Sequence, residues 1–73
     1  MQVEKLIIMA NQVGDFYGAF PDQAEARQEI AGHLNKFWSL NMRKSIAVHV
    51  QEQQGVGLQT LVAEAIQQHL KLN

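Results

Sequence analysis

A small all-α bundle of about four short helices is the fold this sequence predicts, and three observations carry the prediction. Apolar residues recur at three- and four-residue intervals, and no alternating run of the kind a half-buried strand needs persists. Ala, Gln, Leu and Glu are abundant, all of them good helix formers. Three breaks, at Pro21, at Ser39 and at Gly55-Val56-Gly57, divide the chain into four pieces of helical length. Connections this short favour antiparallel neighbours, so residues 1–73 are read as a single helical domain.

The first helix is expected from about Val3 to Phe20, where Pro21 ends it. Val3, Ile7, Ala10, Gly14 and Tyr17 form one stripe, and Leu6, Met9, Val13, Phe16 and Phe20 continue it. About half the circumference is then apolar, wider than the ~100° of a one-sided surface helix. Either this helix is central and touches two neighbours, or its Met9–Phe16–Phe20 edge meets another molecule. A membrane-surface role is weaker, because Lys5 is its one cation, beside Glu4 and Asp15. Gly14 and Gly18 each cost about 1 kcal/mol relative to Ala inside a helix. Close approach by another helix would account for Gly14.

Asp22 opens the second helix, with Glu25 three residues on as in a capping box, and the helix is expected to reach Trp38. Its buried stripe is Ala26, Ile30, Leu34 and Phe37, with Trp38 at one edge and His33 at the other. Ser39 is placed to cap a third helix running to about Gln53, whose apolar side is Met42, Ile46, His49 and Val50. Past the glycine break, a fourth helix is expected from Leu58 to Leu72. It presents Leu58, Leu61, Val62, Ala65, Ile66, His69 and Leu72 to the core.

A chain of this size buries only about 60% of its extended surface. Such cores seldom leave more than about 3–5 kcal/mol of stability without staples or association. No cysteine is present, so disulfides are excluded and a structural zinc site lacks its commonest ligand. Six Lys+Arg stand against seven Asp+Glu, and Arg27, Lys36, Arg43, Lys44 and Lys71 are scattered, which argues against nucleic acid. No run approaches the ~20 apolar residues of a membrane span, and Leu6–Ala10 is too short for a signal core. The expectation is a soluble cytoplasmic protein.

Catalytic chemistry is hard to find. Ser39 reads as a helix cap and Ser45 as a surface residue. Gly55-Val56-Gly57 lacks the Lys and the preceding strand of a phosphate loop. His33, His49 and His69 have no Glu three residues ahead of them, the spacing that bundle metal sites use. They read as boundary histidines, with a partner contact open to His33 or His49. Arg43 follows the Trp38 turn, where it could stack on a ring, fork onto a carboxylate or meet a partner. Asn11 and Gln12 lie on the polar side of the first helix and read as solvated.

Three stretches taken in order resemble one family. They are Met9-Ala10-Asn11-Gln12-Val13-Gly14-Asp15-Phe16, then Ile30-Ala31-Gly32-His33-Leu34-Asn35-Lys36-Phe37-Trp38 followed by Met42-Arg43, and last Gly57-Leu58 with Leu61-Val62. The set, over about two-thirds of the chain, is similar to the delta subunits of molybdenum-containing, NAD-dependent formate dehydrogenases. Leu40 and Thr60 stand where that family often has proline, both at first-turn positions where Pro is favoured but not required. The resemblance implies a non-catalytic accessory subunit that binds the catalytic (alpha) subunit and aids its assembly or maturation. The molybdenum–pterin cofactor and iron–sulfur clusters would belong to that partner, and none to this chain. Combined with exposed-apolar reasoning, it nominates Met9, Asn11, Gln12, Phe16, Phe20, Trp38, Met42 and Arg43 as the contact surface. The competing reading is a self-associating bundle, an adaptor unrelated to molybdenum enzymes, homo-oligomeric when isolated.

Overall fold

Leu6, Ile30, Leu34, Ile46 and Val62, contributed by all four helices, are fully buried against one another in a computed structural model that describes residues 2–73. The helices are α1 (Val3–Tyr17), α2 (Gln23–Phe37), α3 (Leu40–Gln53) and α4 (Thr60–His69). No strand occurs among the described residues, and the all-α four-helix expectation holds. The most extensive packing is between α2 and α4, and α1 touches all three other helices. That central position accounts for most of the breadth of its apolar surface.

Local chemistry sets the boundaries. The Asp22 carboxylate accepts from the amides of Ala24 and Glu25 at 3.0 and 3.3 Å, so α2 has the N-terminal half of the expected capping arrangement. Ser39 Oγ accepts from the Met42 amide at 3.2 Å and starts α3. Leu40 and Thr60 are the first residues of α3 and α4, positions a proline would also suit. Three helix ends differ from expectation. α1 stops at Tyr17 rather than Phe20, since Gly18 caps it and Phe20 turns back to donate its amide to the Tyr17 carbonyl at 3.0 Å. α4 is shorter at both ends, running from Thr60 to His69 instead of Leu58 to Leu72.

The shortening of α4 has one cause at each end. At its start, the Asn11 carboxamide donates to the Gly57 carbonyl and accepts from the Gln59 amide, both at 2.9 Å. At its finish, the Asn35 carboxamide donates to the His69 carbonyl at 3.2 Å and accepts from the Lys71 amide at 2.8 Å. Each asparagine brackets a leucine, Leu58 or Leu70, and holds the backbone on either side of it out of helical continuation. Arg43 Nη1 adds a bond to the Lys71 carbonyl at 2.7 Å. These bonds tie α4 to α1, α2 and α3 in turn, satisfying backbone groups that a helix end leaves orphaned. His69 is accordingly exposed, not part of the core stripe, and Leu72 is 45% exposed.

The α3–α4 turn needs left-handed backbone at Gln54, Gly55 and Gly57 (φ 58°, 69° and 90°). The Gly55 amide reaches back to the His49 carbonyl at 3.3 Å, as in a Schellman-type helix end. Inside the turn, His49 Nε2 lies 2.7 Å from the Val56 carbonyl oxygen. A carbonyl only accepts, so Nε2 carries the proton. His49 is thus a buried polar residue satisfied by backbone. His49→Ala should lower stability by about 1–2 kcal/mol in urea denaturation, by leaving that carbonyl without its partner.

Gly14 marks the close approach of α1 and α4. A Cβ there would collide with Val62 Cγ2 and come within 2.6 Å of Gln59 Oε1. Gln59 cannot move away freely, because its Nε2 donates to the Asn11 carbonyl at 3.3 Å and to Asp15 Oδ1 at 2.6 Å. Gly14→Ala gains about 1 kcal/mol in helix propensity but incurs about 1–3 kcal/mol of overpacking. A net loss near 1 kcal/mol is expected, read as a lower urea midpoint.

Candidate partner-binding site

The aromatic residues of α1 and α2 meet along one side of the bundle. Phe16 packs edge-on against Tyr17 (centroids 4.8 Å apart, planes at 88°), and Tyr17 in turn touches Phe20 at 5.5 Å. Tyr17 also faces the His33 ring at 6.3 Å, and His33 leans on Phe37 at 4.8 Å. Edge-to-face pairs of this kind hold ring orientations beyond what area burial alone does. The Lys36 ammonium lies 5.6 Å from the Phe37 centroid, a cation–π distance.

Beside this ladder runs an open groove of about 500 Å³. α1 contributes Met9, Gln12, Val13, Phe16 and Tyr17, and the facing wall is His33 with Trp38. Phe16 on the groove and Phe37, which packs on the lining residue His33 from outside it, are 69% and 65% exposed, the largest apolar side chains left in water. Contiguous exposed aromatics around a concavity are a feature of interaction surfaces.

The helical period misplaces Phe37. Its angle puts it on the buried stripe of α2, yet its neighbour Trp38 takes that space. Trp38 leaves the helix with extended backbone (φ −90°, ψ 141°) and swings inward to 6% exposure. Of two adjacent aromatics at a helix end only one fits the core, and here the indole does.

The eight nominated residues separate into two groups. Met9, Gln12 and Phe16 line the groove and Phe20 sits at the foot of the ladder. Trp38 reaches the groove only as its buried wall. Asn11 is not a solvated residue, because its carboxamide and carbonyl are bonded to Gly57 and Gln59. Met42 packs against the core. Arg43 Nη1 donates to the Lys71 carbonyl, and among the described residues no aromatic stack or carboxylate pair of Arg43 occurs. The periodic reading left Val13, Tyr17 and Phe37 off the surface. Their signal in the sequence, apolar character at a helical spacing, is the same as that of core residues.

Among the described residues no three His, Cys, Asp or Glu cluster as metal ligands, and no helix is long and apolar enough to cross a membrane. Nothing among curated proteins or solved structures matches the chain closely enough to compare. Residues 5–66 match the family described as NADH-dependent formate dehydrogenase delta subunit FdsD. That span holds the Met9–Phe16 stretch, the His33–Trp38 stretch and the Asn11 bracket on Gly57 and Gln59, and it sets aside an adaptor unrelated to such enzymes. The chain belongs to this family and is a non-catalytic accessory subunit of a formate dehydrogenase.

Proposed function

We propose that the groove between α1 and α2 is the surface by which this delta subunit binds the catalytic (alpha) subunit, and that this binding aids assembly or maturation of the enzyme. The observation that carries the reading is a concavity with a buried Trp for its wall and the exposed Phe16 ring on it, beside which a second exposed ring, Phe37, packs on the lining residue His33. A rigid wall with aromatic rims suits an apolar side chain of the partner, and such anchors dominate interface energies. Met9 contributes an adaptable apolar contact, and Gln12 can hydrogen-bond the partner backbone.

Occupying the groove would stabilise both proteins. A partner that binds only the folded chain adds RT ln(1 + [L]/Kd), which is about 2.7 kcal/mol at a hundred times Kd. For a domain with about 3–5 kcal/mol of its own, that is a large fraction. In return, the partner would have an apolar surface covered while it folds or receives its cofactors. The molybdenum–pterin cofactor and iron–sulfur clusters belong to the partner in this account. The residues here do not fit an iron–sulfur cluster, since the chain has no cysteine thiolate to hold one. The proposed setting is the cytoplasm, where the nicotinamide coenzyme of the enzyme is available.

The test is co-purification of the tagged chain expressed with the formate dehydrogenase subunits of its own source. Recovery of the catalytic subunit is expected. Recovery of the tagged chain alone, from cells in which the catalytic subunit is present, would count against the reading.

A further inference from the structure

One face of α2 carries an unexplained glycine. Gly32 lies mid-helix and exposed, and a Cβ built there meets nothing within 4 Å. A glycine in that position costs about 1 kcal/mol relative to Ala, and no packing inside the fold requires it. Gly14, by contrast, is accounted for by Val62 and Gln59. The outward face at Gly32 is also where Glu29 and Lys36 lie, both exposed. Among the described residues the one ion pair is Arg27–Glu64, so neither Glu29 nor Lys36 is paired.

The placement of these charges is self-complementary. Glu29 and Lys36 are seven residues apart, two helical turns or about 10 Å, on nearly the same side of the helix. Gly32 and His33 stand midway between them. If two such helices cross antiparallel at that midpoint, Glu29 of each copy meets Lys36 of the other, and the glycines let the backbones come close. A two-fold axis across the helices keeps the same lateral side of both copies together. The ladder edges with Phe37 and Phe16 of the two copies would then lie on the same side of the pair. A second copy supplies the complementary charges from the sequence in hand.

From this we infer that the exposed face of α2, centred on Gly32, is a homodimer interface: two free delta chains pack antiparallel through it, Glu29 of each against Lys36 of the other. The pairing is isologous, so each contact occurs twice. It lies against the groove proposed for the catalytic subunit, so the dimer is a holding state of the unbound chain, exchanged for the enzyme on docking. The dimer itself depends only on this chain and stands or falls separately from the docking reading.

Sedimentation equilibrium on the purified chain tests it, with helicity checked for every variant. The chain should show a reversible monomer–dimer equilibrium that weakens with added salt, since the charge pairs lie at the surface. Glu29→Lys alone, or Lys36→Glu alone, should raise the dimer dissociation constant by about tenfold, because each sets like charges opposite one another twice. The double variant carrying both changes restores the pairing and should return to near the original value. An equimolar mixture of the two single variants should form heterodimers in preference to either homodimer. Gly32→Leu, which has open space in the monomer, should abolish the dimer without loss of helix. A chain that stays monomeric at millimolar concentration would overturn the inference. So would a double variant no better than the singles, or a Gly32→Leu chain that dimerises undiminished.

Discussion

Replacing Asn11 by alanine is expected to lower the stability of the chain by about 2–3 kcal/mol. The side chain makes two hydrogen bonds to the strand of backbone entering α4, at 2.9 Å each. Each is worth about 0.5–1.5 kcal/mol net, and losing both leaves the half-buried Gln59 amide without a partner and the Gly57 carbonyl without its side-chain donor. The Gln59 side chain, anchored on the Asn11 carbonyl and Asp15, would lose its fixed backbone as well. For a domain of this size the loss amounts to roughly half the total stability. A thermal midpoint lowered by about 10–15 °C should accompany it, given the ~4–8 °C per kcal/mol of small domains. Asn11→Asp is expected to be no better, because a carboxylate accepts from Gln59 but cannot donate to the Gly57 carbonyl. It would also bring a second negative charge one turn from Asp15. A loss under about 0.5 kcal/mol in Asn11→Ala would show that the bracket does not hold α4.

The second large effect is on binding. Phe16→Ala combined with Phe37→Ala should leave stability within about 1 kcal/mol, because both rings are mostly in water already. The same double change should weaken capture of the catalytic subunit by at least about a hundredfold, the scale of two aromatic anchors removed. Two further variants make the comparison specific. Val56→Ala removes an equally exposed apolar residue (70%) in the α3–α4 turn and should leave capture unchanged. Trp38→Ala should instead reduce stability by about 3–5 kcal/mol, since it empties a site in the core. Equal loss of capture from Val56→Ala and from the double phenylalanine change would remove the groove from the account.

The sequence shows some of this directly and some not at all. Breaks at Asp22, Ser39 and the Gly55–Gly57 turn are local chemistry, and the structure has helix boundaries beside each. The core positions Ile30, Leu34, Ile46 and Val62 follow from period alone. Phe37 does not, because its fate depends on whether Trp38 bends inward, which the angle around a helix cannot decide. Asn11 is a harder case. Its partners are 46 and 48 residues away, and a polar residue on the polar side of a helix looks the same whether solvated or bracketing a distant turn. Asn35 and Arg43 share that fate, each engaged with the segment after α4. The motif residues of the family resemblance are therefore of two kinds. Asn11, Trp38 and Arg43 hold the fold, while Met9, Gln12 and Phe16 line the groove.

Site-specific photo-crosslinking tests the groove most directly. A photoreactive phenylalanine analogue would replace Phe16, Phe37 or Val56, one at a time, in the delta chain bound to its enzyme. The account predicts covalent products with the catalytic subunit from positions 16 and 37 and none from position 56. Products from position 56, with positions 16 and 37 silent, would contradict it.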